Sequence, residues 1–133
     1  LKPHIWIHGG KWRGRIEPVR NGDEAWSAWW NSYSEFALYY ARFAEKHDVE
    51  VYVLGVELGS AIEARPERFD ALVDEIRELY DGHVTYSANW NEKLADERWR
   101  QLDSVGVQFY PPLTDADDPT LATLRSAPVM GRG

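Results

Sequence analysis

The sequence contains no cysteine. A disulfide framework and a thiolate metal site are therefore both excluded, and the redox compartment is left open. The sequence also lacks an apolar run close to the ~18 residues that span a bilayer, and it shows no signal-peptide pattern. We expect a soluble segment, and the composition does not specify its localisation.

Basic residues are in the minority, with 15 Lys and Arg against 22 Asp and Glu and a formal net charge of −7. Because no stripe of Lys and Arg interrupts this acidic balance, nucleic acid and anionic membrane are poor partners. With 133 residues, of which 44% are hydrophobic, the chain can bury one modest core. We expect one domain over residues 1–133, and the opening Leu1 indicates a piece of a longer chain.

Aromatic residues are abundant, because seven Trp, seven Tyr and four Phe make up 14% of the chain. One group recurs at helical spacing between Trp26 and Tyr40, as expected of the packing face of a helix. Flat rings at the ends of strands can instead stack on sugar rings. The residues placed in this way are Trp6, Trp12, Trp90 and Tyr110. Burial in the core is an equal alternative for this second group.

Strand-like and helical patterns alternate along the chain. The strand-like runs are residues 4–7, 51–58, 83–89, 104–110 and 128–130. The helical patterns are 24–46 with Asp23 as N-cap, 66–80 with Pro66 in the first turn, 91–102, and 118–126 with Asp118 as cap. This alternation predicts an α/β fold with a parallel sheet, either an open doubly wound sheet or an arc of a (β/α)8 barrel.

The loops favour the barrel. The segment HGGKWRG, after the first strand-like run, has neither the G-x-G-x-x-G pattern nor a P-loop, which a nucleotide-binding open sheet would be expected to show. In a TIM barrel the active site is assembled at the carboxyl ends of the strands. The corresponding positions carry polar or aromatic residues: His8, Glu57, Asn89, Trp90, Gln108 and Tyr110.

Glu57 interrupts the otherwise apolar run VYVLGVEL. A carboxylate in such a run either pairs with a buried cation, for which Arg13 and Lys2 are candidates, or points into a cleft where chemistry can use it. Walls of Val, Leu and Gly favour the uncharged form of a carboxylic acid. Such surroundings suit a proton donor.

Six linked motifs resemble, in this order, glycoside hydrolase family 113 and related TIM-barrel domains: KPHIWI, KWRGRIEP, WSAWWNSYSEFALYYARFAE, LGVELGS, VTYSANWNE and DSVGVQFYPPL. The resemblance covers nearly the whole chain. It implies a partial TIM barrel of about four to five βα units, running from about strand three to strand seven of the full barrel. It also implies an endo-β-1,4-mannanase of the retaining clan that uses no cofactor and no metal.

The resemblance assigns roles to individual residues. By the family pattern, Glu57 is the general acid/base that follows barrel strand four. Lys2, His4, Trp12 and Arg13 match the motifs around strand three, where polar groups hold sugar hydroxyls. For Lys2 and Arg13, plain surface charges are the alternative.

Three further residues match the ends of later barrel strands. Asn89 and Trp90 match the end of strand five, and Tyr110 matches the end of strand six, where its hydroxyl could hydrogen-bond the nucleophile. A core tyrosine is the alternative for Tyr110. We expect the remaining acids to be solvated loop charges or caps: Glu92, Asp115, Asp117 and Asp118.

The sequence departs from the family pattern at two places. Val56 stands where much of the clan has an asparagine before the acid/base. The last strand-like piece, APVMGRG, contains no glutamate where the nucleophile would follow strand seven. Retaining hydrolysis needs two carboxyl groups about 5 to 5.5 Å apart. Either the sequence is cut near strand seven, or the barrel is a non-hydrolysing relative.

Three hypotheses follow. The chain is part of a glycoside hydrolase, a non-catalytic carbohydrate-binding barrel, or a structural module of the phage-tail or gene-transfer-particle type. The expected partners are an oligo- or polysaccharide and either the remainder of the barrel or a second copy bound through exposed sheet edges. The barrel-interior side chains expected to be open in such an arc are Val51, Val53, Val105 and Val107.

Overall fold

The computed structural model describes residues 1–18, 22–92, 97–114 and 116–125. Its sheet has the strand order β1-β2-β3, with β1 at Val51–Val56, β2 at His83–Asn89 and β3 at Ser104–Gln108. Both strand pairs are parallel. Parallel neighbours need a crossover connection, and two helices supply it between β1 and β2: α2 (Gly59–Ala64) and α3 (Pro66–Arg77). The predicted α/β class with a parallel sheet is confirmed.

Two more helices flank the sheet in sequence, α1 (Asp23–Lys46) before β1 and α4 (Leu121–Arg125) after β3. Short 3-10 turns lie at His8–Gly10, Arg13–Arg15 and Glu97–Gln101. α1 confirms the first predicted helix, but Asp23 is its first residue rather than its N-cap. Asp23 therefore carries its charge in the first turn, where the helix dipole favours an acid. Within the four described ranges, no helix is long and apolar enough to cross a membrane.

The predicted strand at residues 4–7 is not formed. This part of the chain pairs with β1 only at Leu1, whose amino group donates to Val51 O at 2.7 Å and whose carbonyl accepts from Val53 N at 2.9 Å. Ile5 and Ile7 still pack against the core. The apolar residues of the pattern are therefore packed inwards, but a strand also needs a continuous hydrogen-bonded neighbour.

Two predicted helices differ from the structure. Of the pattern at 91–102, only the 3-10 turn Glu97–Gln101 is seen, and residues 93–96 lie outside the described ranges. α4 begins at Leu121, because Thr120 Oγ1 accepts from the backbone N–H of Thr123 at 3.1 Å and so caps the helix in place of Asp118. The predicted strand at 128–130 also lies outside the described residues.

The core lies between α1, α3 and one face of the sheet. Trp30 on α1, Phe69 on α3 and Tyr86 on β2 are completely buried. Trp26 and Tyr40 pack against this cluster from the same helix as Trp30. The aromatic repeat in α1 is therefore a packing face, as its spacing predicted.

Two buried tyrosines tie α1 to β1. Tyr33 Oη donates to Leu54 O, and Tyr52 Oη donates to Ala37 O, each at 2.8 Å. Burial raises the pKa of both phenols, so both keep the proton that they donate. These bonds hold the strand that leads to the site at a fixed position on the helix.

The opposite face of the sheet carries small polar residues on β2 and β3, and Val51 and Val53 of β1 lie on this same face. In register, Thr85 lies beside Ser104 and Ser87 lies beside Gly106. Val105 lies beside Tyr86 and packs against the core. Because side chains alternate between faces along a strand, the expectation that Val105 and Val107 face the barrel interior is wrong.

The register of β1 against β2 shifts between Val53 and Gly55. An irregularity of this kind, a β-bulge, bends the strand and re-aims the side chains that follow it. Gly55 suits the position because a Cβ there would lie 2.9 Å from the side chain of Leu58. The bulge comes immediately before the end of β1 and Glu57.

Candidate active site

Glu57 directly follows β1 and has a left-handed backbone with φ of 51°. This conformation costs a non-glycine residue about 1–2 kcal/mol, so the surroundings must hold it. Two backbone contacts do so: Glu57 N–H donates to Ser87 O at 2.8 Å, and the next N–H, of Leu58, donates to Tyr86 Oη at 2.6 Å. The residue is 8% exposed.

The Glu57 carboxylate has three polar partners. Arg13 Nη2 lies 3.1 Å from Oε2, and Trp12 Nε1 donates to the same oxygen at 3.2 Å. Asn89 Nδ2 donates to Oε1 at 2.8 Å. The apolar surroundings expected for Glu57 are therefore wrong, and of the two candidate cations Arg13 is the one that pairs with it.

Trp12 and Arg13 reach Glu57 from the segment around the 3-10 turn Arg13–Arg15. Arg13 Nε also donates to Val56 O at 3.2 Å, which fixes the guanidinium beside the end of β1. The Trp12 ring lies over Gly14, where a Cβ would be only 2.3 Å from a ring carbon. Gly14 is thus required for the position of Trp12, and no local sequence pattern signals this role.

Lys2 and His4 lie next to this cluster. Lys2 Nζ donates to Ser87 Oγ at 3.1 Å and to Gln108 Oε1 at 3.3 Å, so it bridges β2 and β3 instead of pairing with Glu57. Burial lowers the pKa of His4, and the charges of Arg13 and Lys2 lower it further while that of Glu57 opposes them. His4 is therefore held towards its neutral form, in which one ring nitrogen accepts a hydrogen bond.

Trp90 and Tyr110 occupy the positions predicted for them after β2 and β3, but they do not join the cluster. In the described part of the chain, no hydrogen bond links either residue to Glu57. Trp90 is partly exposed in the turn after β2, and Tyr110 is 80% exposed. The alternative of a core tyrosine at Tyr110 is wrong.

Glu92 is not a solvated loop charge, the first of the two alternatives expected for it, and like a cap it accepts from a backbone N–H. Its Oε2 accepts from Tyr86 Oη at 3.0 Å and its Oε1 accepts from the backbone N–H of Asn89 at 2.9 Å. Burial raises the pKa of Glu92, these two hydrogen bonds oppose the rise, and the charges of Glu57 and Glu63 add to it. Its position three residues after Asn89 was the available sequence signal, but its burial depends on Tyr86.

The other acids differ from Glu92. Asp117 and Asp118 are exposed, as expected, and Asp115 lies outside the described residues. Among the residues that the structure describes, no group of three His, Asp or Glu side chains is arranged to hold a metal ion.

A cavity of about 260 Å³ lies beside the cluster. Its walls include Trp6, Ile7, Lys11, Trp12 and Arg13. Trp6 is 86% exposed. Exposed indole rings beside a cation and a fixed carboxylate can hold a polar, uncharged ligand such as a sugar, with the rings stacked on its apolar face. Glu57 does not line this cavity itself, but two of the lining residues, Trp12 and Arg13, contact its carboxylate.

The sequence matches the family described as Glycoside Hydrolase Family 113 over residues 1–128. A solved GH113 beta-1,4-mannanase complex is 30% identical, with a TM-score of 0.74 over 86% of this chain and 38% of that chain. The GH113 beta-mannanase AaManA from Alicyclobacillus acidocaldarius, solved in complex with ManMIm, is 31% identical, with a TM-score of 0.68 over 80% of this chain and 34% of that chain.

The chain thus spans little more than a third of the length of these solved structures. Together with the parallel strands and their connecting helices, the matches confirm the predicted fold, a partial (β/α)8 barrel. None of the curated proteins compared with the chain matches it.

Proposed function

The chain belongs to glycoside hydrolase family 113, and from this membership we propose that it is part of a retaining glycoside hydrolase acting on β-1,4-mannan. The observation that carries the proposal is Glu57, held by Trp12, Arg13 and Asn89 at the carboxyl end of a parallel strand. The substrate class is supported by the similar structures, which are described as beta-1,4-mannanase and beta-mannanase.

Glu57 is the proposed general acid/base. In the first step it donates its proton to the glycosidic oxygen while a second carboxylate attacks the anomeric carbon, so that the C–O bond breaks and a glycosyl ester forms. In the second step the Glu57 carboxylate takes a proton from water, which attacks the ester and restores both groups. Between the steps Glu57 is ionised, and the Arg13 guanidinium at 3.1 Å stabilises that form.

The second carboxylate is proposed to come from a part of the parent protein outside these residues. Glu92 is not assigned this role, because its carboxylate is directed at Tyr86 Oη and the Asn89 backbone N–H, the position of a side chain that supports the acid/base. Lys2, His4, Trp90 and Tyr110 stay predicted sugar contacts, together with Trp12, Arg13 and Asn89. The second candidate function is a non-catalytic carbohydrate-binding or structural barrel module, favoured by the lack of a glutamate in APVMGRG.

The proposal is tested by incubating the full-length parent protein with β-1,4-mannan, and with cellulose as a control. We expect reducing-sugar release from mannan, with the β-anomer as the first product seen by NMR. First release of the α-anomer would contradict a retaining mechanism. Binding of mannan without release would support the non-catalytic module.

Replacement of Trp12 or Trp90, the two tryptophans predicted to stack on sugar rings, should weaken sugar binding. We expect Trp12→Ala or Trp90→Ala in the full-length parent to reduce the binding free energy of a mannooligosaccharide by roughly 1–3 kcal/mol, the scale of burying one aromatic side chain. Calorimetry in a Glu57→Gln background avoids turnover of the ligand.

Two variants serve as controls for this measurement. Tyr39→Ala removes an aromatic ring that is 61% exposed on α1, away from the cluster, and should leave the affinity unchanged. Trp12→Phe keeps an apolar ring but loses the N–H that Glu57 accepts. An unchanged affinity in Trp12→Ala and Trp90→Ala would mean that these tryptophans do not contact the sugar.

A further inference from the structure

Four hydrogen bonds, together with the covalent chain, link Glu57 and Glu92 in a closed ring. On one side, Glu92 Oε1 accepts from the Asn89 backbone N–H at 2.9 Å, and Asn89 Nδ2 donates to Glu57 Oε1 at 2.8 Å. On the other side, Glu92 Oε2 accepts from Tyr86 Oη at 3.0 Å, and Tyr86 Oη accepts from Leu58 N–H at 2.6 Å. Glu92 is therefore connected to both the carboxylate of Glu57 and the peptide that follows it.

The two branches of the ring restrain different degrees of freedom. The Asn89 branch fixes the orientation of the Glu57 carboxylate. Asn89 is anchored by its backbone N–H, which donates to Glu92, and its side chain donates to Glu57. The Tyr86 branch fixes the Leu58 peptide, and with it the left-handed backbone of Glu57 at φ of 51°. Since that conformation is intrinsically unfavourable, removing a restraint lets Glu57 relax away from it.

A carboxylate suits the shared position because, when ionised, it accepts on both oxygens and donates nothing. The titratable groups that face Glu92 are Glu57, Glu63 and Tyr86. None of these is a cation, so among the described residues Glu92 is held by hydrogen bonds and not by an ion pair. An amide in its place keeps one acceptor oxygen, and alanine keeps none.

We propose that Glu92 is a positioning residue that holds the general acid/base Glu57 through Asn89 on one side and through Tyr86 and Leu58 on the other. This inference rests on the proposed function only for its effect on catalysis. Glu92 does not touch the substrate in this role, and its contribution is exerted through the orientation of Glu57.

The catalytic effect is tested in the full-length parent with Glu92→Ala. We expect kcat/KM on unactivated mannooligosaccharides to fall about ten- to a hundredfold, the range in which a small misplacement of a reacting group acts. The loss on activated aryl mannosides should be smaller, because their leaving groups need little protonation. Glu92→Gln should recover part of the loss, and Glu35→Gln, on the exposed surface of α1, should have no effect.

A role confined to stability would give a different pattern. The substitution would then lower kcat/KM equally on both substrates, since it reduces the amount of folded enzyme. It would also lower activity by the same factor in a Glu57→Gln background, whereas loss of a positioning residue should have little further effect once the acid is absent. Either of these results overturns the proposal.

A second measurement does not depend on activity. Hydrogen exchange of the Leu58 and Asn89 backbone amides should be faster in Glu92→Ala than in the unaltered protein, because both amides lose their place in the ring. If Glu92→Ala does not fold, Glu92→Gln is measured instead, and one of the two amides should exchange faster. Unchanged exchange at both amides overturns the proposal, whereas faster exchange in a parent that hydrolyses no mannan means that only the proposed function has failed.

Discussion

Glu57→Gln in the full-length parent will lower kcat/KM on unactivated mannan by about 10²–10⁴-fold, the usual contribution of a general acid. Glutamine fills the same space in a site that is 8% exposed, but it carries no acidic proton to transfer. Activated aryl mannosides will lose much less in kcat/KM, since their leaving groups depart without protonation. Steady-state kinetics on the two substrates measures both losses.

The comparison between substrates is what isolates the acid role. In Glu57→Gln the ion pair with Arg13 is lost, and the amide NH2 can face the N–H donors of Arg13 and Trp12. Part of the loss in kcat/KM will therefore come from local rearrangement. That part acts on both substrates equally, because it does not depend on the leaving group. Glu35→Gln provides the matched Glu-to-Gln change on an exposed helix position. An equal loss on both substrates would contradict the acid role of Glu57.

The 133-residue chain expressed alone will release no sugar from mannan and will not be a well-formed monomer. The chemical reason is that the second carboxylate is proposed to lie outside these residues, and Glu57 alone cannot form a glycosyl ester. The physical reason is the open edge of β3, which in the described residues pairs only with β2. Exposed apolar side chains lie along and beyond it: Val107, Phe109, Tyr110 and Leu113.

Light scattering, together with a reducing-sugar assay, tests both halves of this prediction. We expect a mass above that of one 15.4 kDa chain and no release of sugar. Phe109→Lys, at a position that is 61% exposed, should lower the average mass, because a charged residue near an edge strand opposes edge-to-edge pairing. A compact monomer that hydrolyses mannan would contradict both halves and would make Glu92 the candidate for the second carboxylate.

The cluster around Glu57 could be predicted largely because parallel strands end at the same edge of a sheet. Glu57 and Asn89 end neighbouring strands, and Trp12 and Arg13 were identified by their resemblance to the family motifs. The meeting of Glu57 and Asn89 follows from the β1-β2 pairing, whereas Trp12 and Arg13 reach the carboxylate from the segment that precedes α1. Sequence patterns of this kind give the direction of a strand and the residue at its end.

The parts that the sequence did not reveal depend on contacts between distant segments. Glu92 follows a strand in a polar turn, and its hydrogen bond with the hydroxyl of Tyr86 is a contact that the local sequence does not predict. The strand predicted at 4–7 has the right apolar alternation, but its ladder is limited to Leu1. In both cases the structure depends on a contact with a distant segment. That contact is with Tyr86 for Glu92 and with β1 for residues 4–7, and the local pattern contains neither.

The register shift between Val53 and Gly55 makes the aim of Glu57 depend on how many residues β1 contains. Side chains alternate faces along a strand, so an exchange of one apolar residue for another leaves the direction of every later side chain unchanged. Loss or gain of a single residue inverts that direction from the bulge onward. The number of residues in β1 is therefore more tightly constrained than the choice among apolar residues, because Glu57 directly follows its last residue, Val56.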